Sequence, residues 1–284
     1  KIQIIYMASS TKNLIAIVSG SNTGIGFEIV KKLADFSKDL TVYLTSRDIE
    51  KGEQALKSLG RDNVKMHQLD ICNQDSVDKF SKFLKENHSQ IDILVHNAGM
   101  AYKGNAFSEE VARNTINTNY VGTRRFHEAV ADQLASDARV VFVSSRIGTL
   151  KKLGDNIKNR FLADDLSLSD LDQLAKEYIE AVKNDDWKEK GFCGSTYGTS
   201  KQLLTAYMKI LAREETRASG SNRLINACCP GWCSTNMSSH SGPNTAEQGA
   251  DTPFFLATLP KDQKDAHGYF WGERKKISWE NASL

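Results

Sequence analysis

The residues that could do chemistry fall in two groups. One is Tyr197-Gly198-Thr199-Ser200-Lys201. A tyrosine and a lysine four residues apart share one face of a helix. An ammonium beside a phenol favours the phenolate, so Lys201 is expected to lower the Tyr197 pKa from about 10 toward the working range of a general acid. A serine hydroxyl could hold a substrate oxygen at the same place, and Ser144 and Ser145 close an apolar run upstream. The other group is Ser19-Gly20-Ser21-Asn22-Thr23-Gly24-Ile25-Gly26. Glycines at 20, 24 and 26 permit a tight turn and let phosphates approach a helix N-terminus. There, free N–H groups and the helix dipole favour negative charge.

Rigid elements must hold these groups, and the chain supplies them in alternation. Strand-like apolar runs occur at Leu14–Val18, Thr41–Thr45, Val64–Leu69, Ile91–Val95, Val140–Ser144 and Leu224–Cys228. Helical patterns lie between most of them. Ile25, Ile29, Val30 and Leu33 share one face, and so do Val77, Phe80, Phe83 and Leu84. Strand, helix, strand in succession predicts a doubly wound parallel sheet of the Rossmann type, with helices on both faces. The glycine loop then stands at the first strand-to-helix junction, where it reads as a dinucleotide site. There is no internal repeat or linker, so residues 1–284 read as one domain. Residues 1–10 are expected to be disordered or additional to the native chain, with Met7 as the start. Residues 146–196 break the alternation and read as an insertion. Within it, Leu171, Leu174, Ala175, Tyr178 and Val182 form the apolar face of a helix.

Composition narrows the function classes. A net charge of +2 is too small to suggest a nucleic acid or an anionic membrane as partner. No apolar run approaches the ~20 residues that span a bilayer. Five cysteines, an odd number without a secretory signal, predict reduced thiols and a cytoplasmic protein. Cys229 and Cys233 are four apart, but no histidine pair joins them, so no metal site is expected.

The second strand bears on which dinucleotide binds. An NAD site usually places a carboxylate about 20 residues past the glycines, on the ribose hydroxyls. Here the strand ends Leu44-Thr45-Ser46-Arg47-Asp48, and a cation stands where a 2′-phosphate would need one. The planar fork of Arg47 suits phosphate, and Lys51 lies one helical turn on. The competing reading is a solvated Arg47–Asp48 pair. NADPH is expected over NADH.

Together these motifs resemble the short-chain dehydrogenase/reductase family. The G-x-x-x-G-x-G loop, Asn97-Ala98-Gly99 and Tyr197/Lys201 carry the resemblance; His96 stands where the family has a further Asn. Cys228-Cys229-Pro230-Gly231-Trp232, with Asn22, Arg47-Asp48, His67-Gln68-Leu69-Asp70 and Lys103, is similar to its carbonyl reductase branch. The likeness runs from Leu14 to about Trp279. It implies reduction of a small-molecule carbonyl by NADPH, which returns as NADP+. It selects Ser145 over Ser144 as the catalytic serine and gives Asn119 a water in a proton relay to Lys201. It assigns the cofactor to Gly20, Asn22, Thr23, Gly24, Ile25, Gly26, Arg47, Lys51, Asp70 (on the adenine), Ile71, Asn97, Ala98, Gly99, Tyr197 and Lys201. Pro230, Gly231, Cys233 and Thr235 would close over the nicotinamide, and Ile147 and Trp232, with Ser145, would meet substrate. His96 reads as a packed residue, not a catalyst.

Three other readings stay open: a reductase for one specialised ketone (terpenoid, alkaloid or steroid), a non-catalytic NADPH-binding protein, and a nucleotide-sugar epimerase or dehydratase. Most family members pair through the helices carrying the asparagine and the tyrosine. Their catalytic serine and tyrosine usually lie about a dozen residues apart, whereas here residues 146–196 intervene. The inserted helix must bury its apolar face, and those pairing helices are the nearest surface; a monomer is expected, with a mobile lid as the alternative. From Arg47 one outcome follows. Arg47→Ala should raise KM for NADPH about 10- to 100-fold, the worth of a charge-assisted bidentate contact, and KM for NADH far less. Steady-state kinetics with both cofactors checks it, and an equal effect on the two removes Arg47 from 2′-phosphate recognition.

Overall fold

The structure is a computed structural model describing residues 13–104, 106–218 and 220–282. The expectation for residues 1–10 lies outside the described residues. Six strands form on the apolar runs: β1 Leu14–Val18, β2 Leu40–Ser46, β3 Val64–Gln68, β4 Ile91–His96, β5 Leu134–Val143 and β6 Leu224–Cys229. Two short strands that the apolar pattern did not reveal, β7 Phe270–Gly272 and β8 Lys275–Lys276, extend the sheet. The order is β3-β2-β1-β4-β5-β6-β7-β8. Pairing is parallel from β3 to β7, and only the β7–β8 hairpin is antiparallel. The chain therefore reverses its winding between β1 and β4. That switch point is where open α/β sheets leave a crevice at their carboxyl ends.

The helices are α1 Gly24–Phe36, α2 Ile49–Leu59, α3 Gln74–Asn87, α4 Glu109–Ile116, α5 Thr123–Val130, α6 Asp155–Leu162, α7 Leu168–Lys183, α8 Thr196–Arg217, α9 Ala246–Gly249 and α10 Asp251–Ala257. Their apolar stripes build two cores, one on each face of the sheet. Ile29, Val30 and Leu33 of α1, with Ala55 and Leu59 of α2 and Leu256 of α10, pack one face. Val77, Phe80 and Leu84 of α3, Phe126 of α5 and Leu203 of α8 pack the other. The central strands are buried on both faces, which is why they read as continuous apolar runs.

Helices α4 and α5 are joined by a π segment, Asn117–Gly122, into one continuous rod. The insertion folds as two 3-10 turns, α6 and α7. Helix α7 opens on a capping box between Ser167 and Asp170, and it buries Leu171, Leu174, Ala175, Tyr178, Ala181 and Val182. That face lies on α4 and α8. A polar clasp fixes the contact: the Tyr120 hydroxyl donates to Asp172 at 2.8 Å, and Arg124 Nη1 reaches both Asp172 carboxylate oxygens at 2.9 Å.

Candidate active site

Helix α8 sits on the end of β5 through small contacts. Ser144 turns inward, bonding the Lys201 carbonyl at 3.2 Å and the Thr205 hydroxyl at 2.7 Å. A Cβ on Gly148 would come within 2.6 Å of the Lys201 Cβ, and one on Gly198 within 3.1 Å of the Ile147 carbonyl. The turn after Ser145 can therefore lie flat on α8 only because both positions are glycine. Lys201 is buried, and its ammonium donates to the Val143 carbonyl at 2.8 Å. The ammonium is 5.6 Å from the Tyr197 ring centre. Since Ser144 is held inside, Ser145 is the serine left to face the phenol.

The electrostatics correct one expectation. Lys201 does not depress the Tyr197 phenol; burial raises it, the nearby Cys229 thiol adds to the rise, and only the Ser145 hydroxyl works the other way. Burial instead lowers the Lys201 ammonium from 10.5 to about 8. The physical reason is that burial disfavours the charged form of each group, the phenolate and the ammonium alike. Tyr197 is thus a protonated donor at neutral pH, the state a general acid needs before it acts.

A cavity of about 970 Å³ runs from Tyr197 and Lys201 across the ends of β4, β1 and β2 to Arg47. Of the residues expected to hold a dinucleotide, Gly20, Asn22, Thr23, Gly24, Ile25, Gly26, Arg47, Lys51, Asp70, Ile71, Asn97, Ala98, Gly99, Tyr197, Lys201, Pro230 and Thr235 line it. Gly231 and Cys233 do not; Gly231 turns with φ +82°, and the Cys233 thiol folds back on the Pro230 carbonyl at 3.3 Å. The glycines pass a direct test of fit. Gly20 and Gly24 both take φ of +61°, the left-handed region that other residues avoid. A Cβ on Gly26 would overlap the Asn97 amide and lie 2.7 Å from the Gly20 carbonyl. The loop is pinned from both sides. Asn97 Nδ2 donates to the Ser19 and Gly20 carbonyls at 3.0 and 2.9 Å, and the Ser21 hydroxyl receives the Thr45 N–H at 2.9 Å.

Arg47 is exposed and, among the described residues, forms no ion pair. Asp48 instead caps α2 through the Lys51 N–H at 3.1 Å and pairs with the Lys51 ammonium at 3.2 Å. The solvated Arg47–Asp48 pair is therefore not formed, and the guanidinium stands free at the cavity mouth. Asn119 is fully buried in the π segment. Its side chain accepts from the Met100 N–H at 2.7 Å and donates to the Met100 carbonyl and the Ser200 hydroxyl, both at 2.9 Å. The side-chain groups are thereby engaged, so its structural part is to tie the Gly99–Met100 turn to α8. His96 is buried, stacked on Phe142 and 3.1 Å from His127 through ring nitrogens. Desolvation lowers both histidines, His127 to about 4, so both are neutral. Ile147 is half-buried and Trp232 is 61% exposed; neither lines the cavity.

The cavity wall also holds residues that no motif signalled: Ser46 near Arg47, Met100 and Thr118 in the middle, and Asn236 and Met237 after Thr235. Ser46, Met100, Thr118 and Asn236 directly adjoin Arg47, Gly99, Asn119 and Thr235, which is the one signal that could have found them. Among the described residues no group of three or more metal-ligating side chains converges, and no helix is long and apolar enough to cross a membrane.

Comparison with known proteins agrees with this geometry. The family model for short chain dehydrogenases matches residues 14–155. Carbonyl reductase (NADPH) 3 of Rattus norvegicus is 36% identical over 95% of this chain and 100% of its own length. Carbonyl reductase (NADPH) 1 of Homo sapiens is 34% identical over 93% of this chain and 98% of its own. Among solved structures, salutaridine reductase from Papaver somniferum superposes with a TM-score of 0.81 at 28% identity, covering 91% of this chain and 99% of that one. Menthone neomenthol reductase from Mentha piperita gives 0.75 at 29% identity, covering 92% and 98%. With matching motifs, fold and relatives along nearly its whole length, this chain belongs to the short-chain dehydrogenase/reductase family, in its carbonyl reductase branch.

Proposed function

We propose that this protein reduces the carbonyl group of a small molecule to an alcohol, using NADPH. The observation that carries the reading is one cavity with a free guanidinium at one end and Tyr197 and Lys201 at the other, the Tyr197 phenol meeting the Ser145 hydroxyl. NADPH supplies the hydride when bound. The chain's own residues handle position and proton. Ser145 and Tyr197 would donate hydrogen bonds to the carbonyl oxygen, where negative charge grows. Tyr197 would then release its proton to that oxygen. Lys201, held against the Val143 carbonyl, would keep its remaining donors for the cofactor ribose and the phenol. Asn119 would keep the Met100 turn and α8 in register while protons return from solvent. Ile147 and Trp232 would flank the substrate, and Gly231 and Cys233 would shape the turn beside the nicotinamide.

A second reading is a reductase dedicated to one specialised ketone. It is favoured by the superposition on salutaridine and menthone reductases. NADPH oxidation measured against quinones, diketones, aromatic aldehydes, steroid ketones and terpenoid ketones separates the two. Broad turnover supports the general reductase, activity on one ketone supports the second reading, and NADPH binding without oxidation of any of them leaves only a binding protein. The free thiols and the covered helix face support a cytoplasmic monomer.

Three outcomes follow. Tyr197→Phe should bind NADPH nearly as wild type does but lose 10²-fold or more in kcat, the scale of general acid catalysis; wild-type turnover would remove Tyr197 from the chemistry. The cofactor-free protein should show the strain of the buried Lys201. A lysine titrating near 8 in the folded state and 10.5 in the unfolded chain binds more protons unfolded across that window, so its contribution to stability rises with pH between them. Thermal melts of wild type and Lys201→Met from pH 7 to 9.5 should show the variant's advantage shrinking with pH, within a full span on the order of 3 kcal/mol. A pH-independent difference would contradict a depressed Lys201. Finally, light scattering during size-exclusion chromatography should return a mass near 31.6 kDa at micromolar protein. Twice that mass would show that α7 leaves the pairing surface free.

A further inference from the structure

The turn after β3 holds Asp70 and Ile71 on the cavity wall, on the far side of β2, β1 and β4 from Tyr197. Internally this turn is well bonded. The Cys72 N–H reaches the Asp70 carboxylate at 2.9 Å, the Asp70 N–H reaches the Ser76 hydroxyl at 2.9 Å, and the Asn73 N–H reaches the Asp70 carbonyl at 3.1 Å. What fixes it against the neighbouring rod is different. The Ile71 carbonyl accepts a bond from Arg125 Nη1 at 2.9 Å. Gly122, almost one turn earlier, leaves room for the same oxygen: a Cβ there would lie 3.0 Å from it. The carbonyl is therefore clamped between the end of the π segment and a guanidinium of α5. Among the described residues Arg125 forms no ion pair, so its charge is not spent on a carboxylate.

We propose that Arg125 is a positioning residue for the adenine half of the cofactor, an inference that rests on the NADPH reading above. Arg125 does not itself line the cavity. It acts through the Ile71 carbonyl, holding the Asp70–Ile71 turn at the height that the adenine edge requires. A charged donor on a peptide carbonyl is stronger than a neutral one, and its loss leaves the turn with the weaker contact of the Cys72 thiol on the Thr118 hydroxyl at 3.5 Å and the apolar packing of Ile71 against the rod. The same rod carries Asn119, which grips Met100 and Ser200. The adenine turn and the catalytic end thus hang from one helical element.

Adenine is common to NADPH and NADH, so the signature differs from that of Arg47. Full-length wild type, Arg125→Met and Arg125→Lys are titrated with each cofactor by quenching of protein fluorescence, alongside steady-state kinetics and thermal melts. Arg125→Met should raise Kd for NADPH and NADH by the same factor, about 3- to 10-fold, the effect of losing one such bond. Its kcat at saturating NADPH should stay within about twofold of wild type, and Arg125→Lys, which keeps one charged donor, should recover part of the affinity. Should the Met variant not fold, Arg125→Gln replaces it. An unchanged Kd for both cofactors in a folded variant overturns the proposal, whatever happens to the melting temperature. So does a loss confined to NADPH, which would place the guanidinium on the phosphate, and so does a fall in kcat with Kd unchanged. No saturable quenching of wild type by NADPH would instead sink the cofactor reading itself.

Discussion

A buried ammonium organises the chemical end of this molecule. Lys201 lies inside the protein with its Nζ on the Val143 carbonyl, so α8 cannot shift along β5 without stranding a charge in the interior. An unpaired buried charge costs more than most single contacts contribute, which makes the position of α8 sharply defined. Tyr197, one turn earlier on the same helix, inherits that placement. Gly148 and Gly198 let the Ser145 turn close onto the helix, and Ser144 with Thr205 locks the joint from within. The cost of the arrangement is visible in the lowered Lys201 pKa. A bound dinucleotide with polar ribose groups beside the ammonium would relieve it, linking cofactor binding to the stability of the catalytic helix.

The cofactor end is held by a different device. No buried charge is used there; backbone groups at the sheet's switch point are tied to one another by short polar side chains. Asn97 from the end of β4 holds the carbonyls of the glycine loop, and Ser21 ties that loop to β2. The loop and the N-terminus of α1 line the cavity, where phosphate oxygens can be received. The π segment bridges the two ends. Along it Asn119 meets the Met100 turn and Gly122 meets the Ile71 carbonyl. Wide turns of this kind recur at functional sites.

The insertion adds a third layer to one face of the sheet. Its α7 brings an apolar stripe onto α4 and α8, and the Tyr120–Asp172–Arg124 clasp adds a directional contact that a greasy stripe lacks. Leu171, Leu174 and Val182, each worth about 1.5–3 kcal/mol when fully removed from water, lead the attachment, with the Tyr178 ring and two alanines filling between them. The helices beneath it carry Asn119 and Tyr197. Covering them in cis stabilises both helices.

Much of this was legible from residues alone. The glycine loop, the strand-end serine pair, the Tyr197–Lys201 spacing and Arg47 announce themselves because each requires a particular residue type at a particular step of a regular element, while the choice of Ser145 over Ser144 came from the family resemblance. The six inner strands announce themselves because burial on both faces demands continuous apolar runs. The inserted helix did so through its stripe. Tertiary structure decided the rest. β7 and β8 are too short to carry a pattern and form only because β6 offers an open edge. The π segment leaves no mark in the local sequence, since its extra residue is accommodated by the packing of Asn119 and Gly122 against distant turns. The sense of the pKa shifts was likewise undetermined: spacing places Lys201 beside Tyr197, but depth of burial decides that the lysine is pushed down and the phenol up. Spacing along a helix is a local property, whereas desolvation is set by every neighbour the fold brings near.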